Sequence, residues 1–205
     1  MCLERIGLGG LLDFKLDGIP NKLAFYVVDK FNPETMEIKL VNDAIVITKD
    51  LIGELLGIRN DGKDIMDEEI EKDIEMVDSW NEQFGKKEIL TRDVKAEIRK
   101  SKVADMNFKL NFIVLFANVM GGVKGKAVCD LRVLDHIRSD TDLASINWCE
   151  YVYRGLKSCK DGWKRDMTNS YFLGPLTLLT VSSILFLLYK FTFIIIFVIM
   201  NVFLI

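Results

Sequence analysis

Hydrophobic positions change their period several times along this chain, and each change predicts an element. Leu3, Ile6, Leu8, Leu11 and Leu12 make a short apolar start, broken by Gly7, Gly9 and Gly10. Pro20 opens a helical pattern that puts Leu23, Tyr26, Val27 and Phe31 on one face and stops at Asn32-Pro33. The period then drops to two. Met36, Ile38 and Leu40 alternate with Glu37 and Lys39, Asn42-Asp43 supplies a turn, and Ala44 to Ile47 returns, which predicts a β-hairpin. Thr48 is placed to cap a helix carrying Leu51, Ile52, Leu55 and Leu56, with Gly57 at its end. An acidic helix follows, docked by the thin stripe Ile70, Ile74, Val77 and Trp80, and another starts after Thr91 with Asp93 in its first turn. From Asn107 to Met120 the pattern is apolar on most sides, the mark of a buried central helix that is too short to span a bilayer. Two more core helices are predicted, one carrying Val128, Leu131, Leu134 and Ile137. The other runs from about Asp142 to Lys157, with Ile146, Cys149, Val152, Tyr153 and Leu156 inward.

The expected fold class is therefore mainly α: a multi-helix globular domain with one small N-terminal β-hairpin, plus a C-terminal apolar, transmembrane-like helix. The domain covers 1–175 and the tail 176–205. Thirty residues from Leu176 carry one charge, Lys190, and as a helix they reach about 45 Å. A span needs about 20 residues, and a lysine at mid-bilayer costs about 2.5–3.5 kcal/mol, which the surrounding Leu, Ile and Phe offset. Lys157, Lys160, Lys164 and Arg165 ahead of it favour a cytosolic body. After Gly174 the tail has no Ala, Gly, Asp, Glu or Arg, a bias toward A/T-rich codons. Translated intron or read-through is the origin this composition favours, whatever the segment then does in a membrane.

Outside Tyr171–Ile205 the remaining 170 residues hold 26 Lys+Arg and 30 Asp+Glu, a net charge of −4. That excludes a strongly basic nucleic-acid binder at the level of the whole chain, and a chain half hydrophobic is too rich in apolar residues to be disordered. The charges are nonetheless segregated. Residues 59–82 contain ten acids and three bases, and 86–126 ten bases and four acids. Arg92, Lys95, Arg99 and Lys102 recur at steps of three and four, the best candidate in the chain for contact with phosphates or nucleic acid. The commoner reading of such a row is a solvated helix face, or one that pairs with the neighbouring acidic segment.

Candidate chemistry is thin. Gly7 to Gly10 lacks both the preceding strand and the spacing of a dinucleotide loop. Gly121 to Lys126 lacks the first glycine and the metal-binding hydroxyl of a phosphate loop, having Met120 and Ala127 there. His136, Asp142 and Cys149 are the residue types of a thiol nucleophile with base and orienter, but Cys149 falls on an apolar helix pattern with no oxyanion donors beside it. The acids of 64–82 do not form a calcium loop. One histidine and four cysteines without a C-x-x-C pair call for neither a metal site nor a disulfide scaffold, and the thiols are expected to be idle in a reducing compartment. No catalytic, cofactor or metal residue is assigned.

Several stretches together resemble the aminotransferase-like plant mobile domain, a plant family related to transposon-encoded proteins. They are Ile6–Leu12, Asp29–Pro33, Ile47–Gly57, Phe108–Leu115, Ile146–Cys149 and Phe172–Leu176, in order over about 5–180. In transposon-type relatives the domain often precedes a SUMO-type cysteine peptidase domain. The resemblance implies mobile-element biology, with a nuclear setting for members linked to silencing and genome integrity. It implies no transamination, and it supplies no catalytic residues. Relatives usually continue past a Gly-Pro-Leu segment like Gly174–Leu176 into more globular sequence, so the domain is expected to be cut short on its C-terminal side. The expected function is a non-catalytic, mobile-element-derived interaction module, protein-binding or nucleoprotein-associated, with an unidentified protein partner. The alternative is a single-pass tail-anchored membrane protein with a cytosolic body.

Overall fold

Side-chain caps set most of the helix starts. The computed structural model describes residues 2–12, 18–67, 70–121, 128–167 and 171–203, with side chains in the last helix described as far as Lys190. Thr48, Asp73, Asp105 and Asn147 each accept a hydrogen bond from the backbone N–H three residues on, satisfying a donor that the first helical turn leaves free. They open α3 (Lys49–Leu56), α4 (Ile74–Glu82), α6 (Met106–Met120) and α7 (Trp148–Ser158). Asp93 does the converse for α5 (Thr91–Lys100), its carboxylate accepting from Leu90 N–H at 2.8 Å. Gly57 ends α3 at φ 60°, as expected for a left-handed cap.

At the N-terminal end, α1 (Cys2–Arg5) and a 3₁₀ turn (Gly9–Leu12) precede α2 (Asn21–Lys30). The predicted hairpin is present as β2 (Glu37–Lys39) and β3 (Ala44–Val46), joined by a third strand, β1 (Phe31–Asn32), in the antiparallel order β1-β2-β3. The register sets Phe31 opposite Ile38 and Ile38 opposite Ile45, so three buried side chains share the inner face. Helical spacing puts Phe31 on the helix; it is instead the residue where α2 ends and the sheet begins.

The core centres on α6, with Trp80 and Trp148 fully buried on either side of it. Trp148 Nε1 donates to the Ile6 carbonyl at 2.9 Å and its ring meets Phe116 edge-on, tying the N-terminal segment to α7. Two asparagines of α6 point inward. Asn111 accepts from Trp80 Nε1 at 2.8 Å and donates to Gln83. Asn118 donates to the Val114 and Asp130 carbonyls and accepts from Asp130 N–H. Where the chain crosses itself most tightly, Gly10 lies on Gly57: a Cβ on Gly10 would stand 2.4 Å from Gly57 backbone.

Three expected elements differ. The 128–137 helix is a 3₁₀ turn, Arg132–His136, because the backbone before it is committed elsewhere, Cys129 N–H to Ile89 and Asp130 to Asn118. The 142–157 helix splits into a 3₁₀ turn (Leu143–Ser145) and α7, since Asn147 restarts the helix as a cap and Asn147 N–H is held by Lys63. In the acidic segment Asp73 starts α4 late, leaving Ile70 outside it and Ile74 64 % exposed, while Met76, Val77 and Trp80 are buried.

The C-terminal element is a helix, α8 (Leu176–Phe203), but it begins as part of the body. Leu178 and Leu179 are fully buried against the core. Thr180, Ser182 and Ser183 are buried too, each hydroxyl donating to the carbonyl four residues back. Further along, Phe186 still touches the core, and Lys190 lies over the Phe186 ring and pairs with Asp43 at the hairpin turn. Among the described residues no helix is long and apolar enough to cross a membrane. The expected transmembrane-like character of the tail is therefore unsupported.

Candidate partner-binding face

The basic row keeps most of its predicted geometry. Arg92, Lys95 and Arg99 stand on the exposed face of α5, whose other side buries Val94 and partly Ile98. Lys102 is exposed but lies past the end of the helix, outside the row. Arg92 is 4.0 Å from Asp93, and Asp93 is engaged by Lys86, whose ammonium holds that carboxyl below the usual range. Among the described residues Lys95 and Arg99 have no ion pair. The acidic segment does not neutralise them: Asp64 and Asp67 bind Arg154, Lys72 binds Asp135, and Asp73 caps α4 while accepting from Ser139.

Beside that row runs a groove missing from the sequence-based expectations. It is lined by Phe112, Leu115, Phe116 and Val119 of α6, by Leu11 and Leu12 of the N-terminal 3₁₀ turn, and by Lys95 of the row. The cavity is about 270 Å³ and open to solvent, with Val119 52 % and Leu12 41 % exposed. The two helices are consecutive, joined by the short stretch 101–105, and pack against each other. Arg92 to Arg99 spans about 10.5 Å of helix, and Phe112 to Val119 the same. Apolarity all round α6 hid this groove: the pattern could not show which side stayed uncovered. The signal available was the pair Asn111 and Asn118, one heptad apart, marking the side that bonds inward.

The thiol constellation is not assembled. Cys149 is fully buried, its Sγ 3.6 Å from the Ile58 carbonyl, and burial pushes its pKa up to about 12. A thiolate nucleophile needs the opposite shift. His136 and Asp142 do line one cavity of about 520 Å³, with Lys63, Arg138 and Asp140, but Cys149 is not among its walls. Asp142 is also occupied there as the cap of the 3₁₀ turn. A third cavity, between α6 and α7, holds Arg132 and Arg154, but Arg132 is paired with Asp130, and Arg154 with Asp64, Asp67 and Glu150. The Gly7–Gly10 stretch is a packing element: Gly7 lies against Trp148 and Gly10 on Gly57. The phosphate-loop-like stretch Gly121–Lys126 lies, after Gly121, outside the described residues. Among the described residues no three His, Cys, Asp or Glu side chains gather as metal ligands.

Comparison with known proteins adds the family. The profile of a family described as a domain of unknown function, DUF8566, matches residues 1–180. The chain belongs to that family. The DUF8566 match contains the whole groove and the whole basic row, and it extends into the first turns of α8 as far as residue 180, past the buried Leu178 and Leu179. No curated protein and no solved structure matches the chain.

Proposed function

We propose that this DUF8566 domain is a non-catalytic interaction module, of the plant-mobile-domain type its six stretches resemble, that engages a macromolecular partner through the α5–α6 face. One observation carries the reading: an open apolar groove has Lys95 in its lining, a solvent-facing cation that, like Arg99 one turn further along α5, has no ion pair among the described residues. Exposed apolar concavities rimmed by polar groups are what interaction surfaces present. A photo-reactive residue tests it at Val119, in the groove, against one at Val41, which is 91 % exposed at the hairpin. Cross-linking to a macromolecule in cells from position 119 and not from 41 supports the face; equal or no cross-linking from both removes it. Cys149→Ala should leave any activity intact.

A second reading, the tail-anchored membrane protein, is favoured by Ile184, Leu185, Leu187, Leu188 and Tyr189, all exposed along α8. Its test compares the full chain with a chain ending at 190 by carbonate extraction of membranes. Retention of the full chain alone supports an anchor. Release of both returns the protein to the nuclear setting that the resemblance implies.

A further inference from the structure

We propose that the partner of the α5–α6 face is an amphipathic helix of another protein, with apolar anchors for the groove and a row of acids along one flank for Arg92, Lys95 and Arg99; this rests on the binding-module reading above. The shape argues for side-chain anchors, because about 270 Å³ lies just under the ~300–1,000 Å³ usual for small-molecule pockets. The length argues for a helix. Phe112 to Val119 spans about 10.5 Å, two helical turns, with Lys95 among the lining, and a helix laid there would present anchors at i, i+4 and i+7.

Charge selects between the remaining occupants. A nucleic-acid backbone would use the cations but leave the apolar floor of Phe112, Leu115 and Val119 without a role, and the chain is net −3. A membrane surface favours protruding apolar side chains, and here they line a concavity. An acidic, amphipathic helix uses both features. The cations at the rim would speed encounter and set orientation, while the buried anchors would set the dissociation rate.

The test uses the full chain and two synthetic 16-residue helix-forming peptides, with leucines at i, i+4, i+7 and i+11 and one flank of either glutamates or lysines. Fluorescence anisotropy should show the glutamate peptide binding at least tenfold more tightly than the lysine peptide, with that margin shrinking as salt rises. Lys95→Glu combined with Arg99→Glu should reverse the preference, which misfolding could not do. Val119→Asp, at a half-exposed position, should remove binding of both peptides while far-ultraviolet dichroism stays unchanged. Equal binding of the two peptides, or binding that survives Val119→Asp, overturns the proposal. So does binding only of single-stranded DNA, RNA or phosphatidylserine vesicles, abolished by the charge reversal but not by Val119→Asp; that result would leave the face as a binding surface and change its partner. Cross-linking from neither position 119 nor 41 would instead remove the module reading beneath it.

Discussion

Replacing Asn111 by leucine is the sharpest probe of how α6 is held. Shape and hydrophobicity alone predict little harm, because leucine shares the branching and heavy-atom count of asparagine and the helix is the core of the protein. The hydrogen bonds predict otherwise. Trp80 is fully buried and its indole N–H has Asn111 Oδ1 at 2.8 Å as acceptor. Left unpaired, a buried donor costs about 1–3 kcal/mol. The Gln83 side chain also loses the Asn111 amide but is only partly buried, so its loss is about 0.5–1 kcal/mol. Against this stands the gain from burying a leucine, so the expected net is a loss of about 1–3 kcal/mol. For a chain of this size that is roughly a 4–8 °C fall in Tm per 2 kcal/mol. Urea denaturation followed by tryptophan emission should show a lower midpoint and an unchanged slope. Trp80→Phe removes the donor, so the double variant should lose at least about 1 kcal/mol less than the two single losses added together. A neutral or stabilising Asn111→Leu, or strict additivity, would refute the assignment of the Trp80–Asn111 bond as a structural requirement.

Other perturbations follow from the same geometry. Gly10→Ala should cost several kcal/mol or prevent folding, because its Cβ would enter Gly57 backbone, whereas Gly18→Ala has nothing within 4 Å and should be silent in thermal melts. Truncation after residue 190 should leave a folded body, while truncation after 176 should unfold it. Leu178 and Leu179 are fully buried, at about 1.5–3 kcal/mol each against a total of about 5–15; equal melting of the two truncated chains would show that α8 is not part of the core. Thiol titration of the native chain at pH 8 should label Cys2 first, since Cys129, Cys149 and Cys159 are buried. Burial raises the pKa of Cys149 and Cys159 from 9.0 to about 12 and of Cys129 to about 11. The unfolded chain therefore releases these protons first. Stability should be unaffected by them below pH 9 and fall as pH rises from 9 toward 12; a urea midpoint that rises between pH 9 and 10.5 would contradict this.

Local rules carried most of the elements. Thr48 and Gly57 bound α3 where cap chemistry says they should, and the Asn42-Asp43 turn closes the hairpin. What local pattern could not supply was competition for backbone groups. The 128–137 stretch has the apolar spacing of a helix, but its first peptide groups are taken by Ile89 and Asn118, which lie far away in sequence. The same holds for the tail. Its composition fits a membrane span, yet Leu178 and Leu179 find a core to enter, and the one charge, Lys190, finds Asp43. The Lys190–Asp43 pair is half-exposed, so it orients α8 rather than locks it. Of the candidate site, the cation row was legible from spacing on α5. Its apolar half was not, because α6 turns its asparagines inward and leaves Phe112 and Leu115 only partly covered and Val119 exposed.

The most direct measurement on the central claim is the affinity of the full chain for the glutamate-flanked helix before and after Lys95→Glu with Arg99→Glu. Preference for the glutamate peptide that turns into preference for the lysine peptide would establish the α5–α6 face as a reader of acidic amphipathic helices. An affinity that ignores the reversal would place the partner surface elsewhere on the fold.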